Sequence, residues 1–85
     1  MKAPLEIQIT DGAAYLLYAA GDAVVTQNVT EGGAVAVDLD AAGNILGLEL
    51  LYLEEPAVID AAAKFAREHD LGFPRDLSGV LIPAD

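Results

Sequence analysis

The residues best placed to do chemistry in this chain are carboxylates gathered around one glycine: Asp38-Leu39-Asp40-Ala41-Ala42-Gly43, with Glu49 eleven residues after Asp38. An EF-hand calcium loop needs carboxylates at its first and third positions, Asp or Asn at the fifth, Gly at the sixth and a bidentate Glu at the twelfth. Four of those five positions are met, and the fifth is Ala42, which removes a ligand. EF-hand loops join helices, whereas the residues on either side here alternate apolar and polar with the period of strands. A straight strand from Ile45 to Leu53 would also hold Glu49 away from the turn. The run therefore reads as a β-hairpin whose Gly43 takes a left-handed conformation and whose Asp38 and Asp40 flank the turn, with no metal bound.

In that hairpin Asp38, Glu49, Ala36 and Gly47 share one face. Two carboxylates a diagonal apart could act as general acid and base if crowding raised one pKa. The sequence supplies no cation, electrophile or cleft beside them, so the pair reads as a solvated acidic face. His69 falls in the last turn of an expected helix, where the dipole favours a cation. Ser78 lacks a Gly-x-Ser-x-Gly context, and Gly32-Gly33 lacks the Lys and the spacing of a P-loop. With no Cys in the chain, thiol nucleophiles and thiolate metal sites drop out. Tyr15, Tyr18 and Tyr52 fall in expected strands and read as packing residues. No catalytic residue, cofactor or metal is expected. The surface positions singled out are Tyr15, Asp38, Asp40, Gly43, Gly47 and Glu49; Gly47, a glycine inside a strand, implies close approach of a neighbouring group.

The elements that position these residues follow from periodicity. Leu5, Ile7 and Ile9 alternate with Glu6, Gln8 and Thr10, as in a half-buried strand. Asp11-Gly12 is a type I′ turn signal, and pairing Thr10 with Ala13 sets Ile9 opposite Ala14, Ile7 opposite Leu16 and Leu5 opposite Tyr18, a wholly apolar face. Gly21-Asp22 reads as a second two-residue turn, returning the third strand, Ala23 to Val29, antiparallel to the second. Thr30-Glu31-Gly32-Gly33 separates it from a fourth, Ala34 to Asp40. A four-residue loop, Ala41 to Asn44, then pairs Leu39 with Leu46, Val37 with Leu48 and Val35 with Leu50; a three-residue loop would set Glu49 against Val35.

Glu54-Glu55-Pro56 opens a helix, with Val58, Ile59, Ala62, Phe65 and Ala66 as its apolar stripe and Gly72 as its stop. Val80-Leu81-Ile82 is a candidate sixth edge strand or docked segment. The expected fold is α+β, one domain over residues 1–85: a five-stranded antiparallel β-meander over 5–53, a C-terminal helix over 54–72 packed on one face, and a tail over 73–85.

Ala14-Tyr15-Leu16-Leu17, Val35-Ala36-Val37-Asp38-Leu39-Asp40, Gly43, Ile45 and above all Gly47-Leu48-Glu49-Leu50-Leu51 resemble a small bacterial family catalogued only as a domain of unknown function, number 2283. Its signature is an Asp-rich turn followed by Gly-Ile-Glu-Ile, and the resemblance covers about Leu5 to Leu53. The chain departs from it at Asp11-Gly12, where similar proteins carry a longer acidic turn, and adds the helix and tail after Glu54. The resemblance implies a fold and a recurrent surface, with no catalytic residue to transfer.

Fourteen Asp and Glu against four Lys and Arg leave a formal charge of -10, which excludes a phosphate-binding groove, so no nucleic acid is expected as a direct partner. Ala13 to Ala20, the longest apolar run, is eight residues long, far short of the ~20 a bilayer-spanning helix needs. Met1-Lys2-Ala3-Pro4 leads straight into strand residues without a secretory signal, so a cytoplasmic protein with no membrane contact is expected. Apolar residues make up 54% of the chain and the mean hydropathy is +0.40, yet a domain this short buries only about 60% of its unfolded surface. The surplus points to a partner: Tyr15, Leu17, Val24, Ile45, Leu51 and Leu53 would form a patch on the sheet face away from the helix, buried in a homodimer. The expected role is a non-enzymatic binding or assembly module, with an acidic, antitoxin-like partner of a small basic protein as the alternative.

Overall fold

The computed structural model of the protein describes residues 2–74. Five strands, β1 (Glu6–Thr10), β2 (Ala13–Leu17), β3 (Val25–Asn28), β4 (Val35–Leu39) and β5 (Ile45–Leu50), precede one helix, α1 (Pro56–Glu68). All strand pairs are antiparallel, in the order β1-β2-β5-β4-β3. The α+β fold expected from the sequence, an antiparallel five-stranded sheet with one C-terminal helix, is the one the chain forms. Among the described residues no helix is long and apolar enough to cross a membrane. The candidate sixth strand at Val80-Leu81-Ile82 and the Ser78 turn lie outside the described residues.

The first hairpin has the expected register from Thr10 opposite Ala13 through Ile9 opposite Ala14 to Ile7 opposite Leu16, but Leu5, expected opposite Tyr18, lies before β1 and gives its amide to the Leu17 carbonyl (2.7 Å). Asp11 and Gly12 both take positive φ, 48° and 79°, as a type I′ turn requires. Gly21-Asp22, by contrast, does not fold β3 back onto β2. β5 occupies that place, and β3 lies at the far edge beside β4, which makes β2 to β5 a Greek key. Composition explains the choice. Leu46, Leu48 and Leu50 of β5 are buried, whereas every residue of β3, Val25-Thr26-Gln27-Asn28, is exposed. Placing β3 at the edge lets water reach its polar side chains and puts the leucine-rich strand in the middle.

The β4–β5 hairpin pairs Val35 with Leu50 and Val37 with Leu48 as expected, but Leu39 meets Ile45 instead of Leu46. Leu46 is the extra residue of a bulge, and its carbonyl accepts the amides of Tyr18 (2.7 Å) and Ala19 (3.2 Å), which prolongs the contact between β2 and β5.

The core lies between the sheet and α1: Ala14, Leu16, Tyr18, Val35, Val37, Leu48, Leu50 and Leu53 meet Val58, Ala62, Ala66 and Leu71. Ile59 and Phe65 of the helical stripe pack at its margin. Leu16, Val35, Leu48 and Leu50 are wholly enclosed, each burial contributing roughly 1.5–3 kcal/mol. Pro56 begins the helix, so Glu54 and Glu55 precede it.

The helix stops before the expected glycine. Asp70 takes φ +57°, and the amides of Leu71 and Asp70 reach the carbonyls of Ala66 (2.7 Å) and Arg67 (3.3 Å), the two bonds of a Schellman motif. Gly72 acts elsewhere. Its amide donates to the Lys2 carbonyl (2.6 Å) and its carbonyl accepts the Tyr18 hydroxyl (2.8 Å), tying the end of the helix to the start of the sheet.

Three burial expectations change. Tyr52 is not in a strand: it follows β5 at φ +58° with 60% of its surface exposed. The amides of its neighbours Leu51 and Leu53 are pinned to Ala34 (2.8 Å) and Gly12 (2.9 Å), which fixes that backbone between them. Of the patch expected on the opposite face, Leu53 belongs instead to the helix-side core and Ile45 packs against it, while Tyr15, Leu17 and Leu51 are half-buried and Val24 is 58% exposed. β1 is exposed along its whole length instead of half-buried, with Ile7 39% and Ile9 40% accessible, and Leu5 just before it is 67% accessible. α1 rests on β4 and β5, two strands away from β1.

Candidate functional site

The sheet face opposite the helix carries the chemistry-bearing side chains. β2 supplies Tyr15, β5 Gly47 and Glu49, β4 Ala36 and Asp38, and β3 Thr26. Tyr15 stands opposite Glu49, and Asp38 stands opposite both Gly47 and Thr26. Four of the six positions singled out from the sequence, Tyr15, Asp38, Gly47 and Glu49, are therefore neighbours. Asp40 and Gly43 lie apart in the β4–β5 turn.

Gly47 is what lets this arrangement exist. The Tyr15 side chain crosses β5 directly above it, and a Cβ at position 47 would collide with the Tyr15 hydroxyl and ring, standing 2.9 Å from Cε2. Lying there, Tyr15 donates its hydroxyl hydrogen to Asp38 Oδ2 at 2.9 Å, while Thr26 donates to Asp38 Oδ1 at 2.6 Å. One carboxylate thus ties β2, β4 and β3 together across the sheet, with both oxygens engaged by hydroxyl donors.

Burial, then the hydrogen bond to Asp38, then the charges of Asp38 and Glu49 push the Tyr15 pKa from 10.0 up to about 12. Tyr15 is consequently a neutral phenol near pH 7, able to donate a hydrogen bond and unsuited to act as a base or nucleophile. Asp38 is a structural acceptor in this arrangement, and Glu49 adds negative charge near the Tyr15 hydroxyl. Chemically the cluster locks strands.

Asp40 serves the turn. Its Oδ1 accepts the amides of Asn44 (2.8 Å) and Ala42 (2.9 Å), and its Oδ2 accepts the Asn44 side-chain amide (3.1 Å). Those bonds, led by the Asn44 backbone amide, hold its carboxyl below the usual range. Gly43 sits at φ +87° and donates its amide to the Asp40 carbonyl (3.0 Å). Asp38 and Asp40 therefore turn to different sets of protein donors, not to a common centre. Among the described residues no group of three or more His, Cys, Asp or Glu is placed to hold a metal.

One feature escaped the sequence reading. Thr26 completes the Asp38 clamp, and the signal for it was the polar run Thr26-Gln27-Asn28, which fits a strand beside β4 at an edge. His69 sits at the helix C-cap with its ring 4.2 Å from that of Phe65. It shares with Lys2, Asp40 and Asn44 an open depression of about 540 Å³ at the β4–β5 turn. The Asp40 carboxylate on that wall is already committed to the turn.

No protein-family model matches the chain, and no curated protein or solved structure matches it either.

Proposed function

We propose that this protein is a non-enzymatic binding and assembly module whose interaction surface is the β1 edge of the sheet. The observation that carries this reading is the exposure of Ile7 and Ile9 on β1, with Leu5 just before it, on a strand that α1 leaves uncovered and that among the described residues has a neighbour on one side only. Exposed apolar groups gathered on one element mark contact surfaces, and an unpaired edge presents backbone donors and acceptors in a row. The opposite face supports the same reading from the other side. Its hydroxyls and the Asp38 carboxylate satisfy one another, and Tyr15 stays protonated, so the cluster offers no group poised for acid–base or nucleophilic work. A cytoplasmic setting accords with an acidic module of this kind.

The test is size-exclusion of native cell extract containing the tagged full chain at native level, compared with an Ile7→Lys variant. The chain is expected to elute in a species larger than 8.8 kDa, and the variant to fall back to the size of the isolated chain with its circular dichroism unchanged. Elution of the unmodified chain as an isolated monomer would contradict the reading.

A second reading rests on charge. The strands carry Glu6, Asp38 and Glu49 and no Lys or Arg, in a chain of net charge -10. A small basic protein would complement such a sheet, as an antitoxin-like acidic partner would require. That complex would weaken steeply with added salt, whereas apolar edge contacts would not.

A further inference from the structure

Building on the assembly reading, we infer that the occupant of the β1 edge is a second copy of this chain, its β1 paired antiparallel with the first about a twofold axis at Ile7. The two-residue turn makes Thr10 and Ala13 the hydrogen-bonded pair beside it. Alternation from there leaves the amides and carbonyls of Ile7 and Ile9 on the outer side of β1, facing away from β2. Natural edge strands are usually blunted by Lys, Pro or a bulge. Between Glu6 and Thr10 there is none. The other edge, β3, is only four residues long and, besides the exposed Val25, carries the polar Thr26, Gln27 and Asn28. β1 is therefore the edge built to take another strand.

The residues of β1 choose the partner and the register. Centred on Ile7, an antiparallel pair sets Ile7 against its own copy on the helix side and brings Ile9 toward the other copy's exposed Leu5, which just precedes β1. On the other face Glu6 meets Gln8, a contact the strand already makes within itself, Gln8 Nε2 donating to Glu6 Oε2 at 3.2 Å. The Lys2 end of one copy comes beside the Asp11 end of the other, a charge match repeated by the twofold. Neighbouring registers fail on the same grounds. Centring on Glu6 stacks that carboxylate on its copy, and centring on Gln8 brings Leu5 against Asp11. In the Ile7 register the two sheets join into one, with their helices on the same side and Ile7 and Ile9 of both β1 strands, flanked by the two Leu5 side chains, between them.

Sedimentation equilibrium of the purified full chain tests this directly. The expected species has twice the mass of the 8.8 kDa chain and tightens with salt, because copies of net charge -10 repel. Ile7→Lys places like charges at the axis and should abolish the dimer while leaving the fold intact, since Ile7 is outside the core. Gln8→Lys reads the register: opposite Glu6 in two symmetric pairs it should tighten the dimer roughly two- to tenfold. Gln27→Lys, on exposed β3, controls for the change in net charge and should have a smaller effect.

A monomer at all concentrations and salts overturns the inference. It leaves the assembly reading to its own test, in which the extract then holds a larger species containing a different protein. A dimer insensitive to Ile7→Lys places the contact elsewhere and also overturns it. Weakening by Gln8→Lys beyond the Gln27→Lys control contradicts the Ile7 register.

Discussion

Replacing Gly47 by Ala should destabilise the protein even though Ala is ordinarily the better strand residue. Fixing Gly in a strand costs about 0.5–1 kcal/mol relative to Ala, so a site with free space would gain that much. At position 47 the new methyl meets the Tyr15 hydroxyl and ring, and the aromatic side chain must leave its place over β5. Its hydrogen bond to Asp38 goes with it. A bond to a charged acceptor contributes about 1.5–3 kcal/mol when well buried, and partial exposure of Tyr15 puts this one at the lower end. Lost ring packing on β5 adds to it, so the net loss is about 1–2 kcal/mol. That corresponds to roughly 4–8 °C of melting temperature per kcal/mol in a domain of this size.

Urea denaturation of Gly47→Ala, Tyr15→Ala and the double variant measures the effect. In the Tyr15→Ala background, where nothing crosses β5, Gly47→Ala should become neutral or stabilise by about 0.5–1 kcal/mol. An equal loss in both backgrounds, or no loss in either, would refute the role given to Gly47.

Three further outcomes follow from the turn and the tyrosines. Gly43→Val should lower stability by about 1 kcal/mol or more in thermal unfolding, through its positive φ alone, because open space surrounds the site. Asp40, whose carboxyl lies below its usual 3.8, binds its proton more weakly folded than unfolded; its contribution is present above that value and lost as pH falls beneath it. Asp40→Ala should therefore unfold with a shallower acid dependence than the unmodified chain. Tyr15 and Tyr18, both raised from 10.0 to about 12, act in the opposite sense. Their contribution is complete below pH 10 and lost as pH rises toward 12, so phenolate absorbance and unfolding should advance together there, and Tyr15→Phe should remove the Tyr15 part.

Local patterns were legible where one residue type has one physical use. Asp11-Gly12 fixed a turn and its register because few other residues accept two successive positive φ values. Pro56 marked the helix start, and face matching set Val35 opposite Leu50 and Val37 opposite Leu48, although the turn itself closes with Leu39 on Ile45 and the expected four-residue loop does not form. Gly47, as a glycine inside a strand, pointed to a close neighbour, and Tyr15 is that neighbour. What could not be read was non-local. The place of β3 depends on competition with β5 for the free side of β2, a contest settled by burial across the whole sheet and not by the Gly21-Asp22 turn. The β5 bulge at Leu46 answers to Tyr18 and Ala19, far away in sequence. The helix stop fell to Asp70 because Leu71 could then enter the core, leaving Gly72 to join Lys2 and Tyr18. The helix stripe was correctly seen, but which strands it covers could not be read: the 13-residue helix rests on β4 and β5 and leaves β1 bare.

The most direct test of the account is amide hydrogen exchange at Ile7 and Ile9, followed by nuclear magnetic resonance as protein concentration is raised. The account predicts fast exchange in dilute solution and growing protection at these two residues as copies pair, with the amides of β3 unchanged. Fast exchange at every concentration would contradict self-pairing, and protection already complete in dilute solution would show that the β1 edge is covered within a single chain.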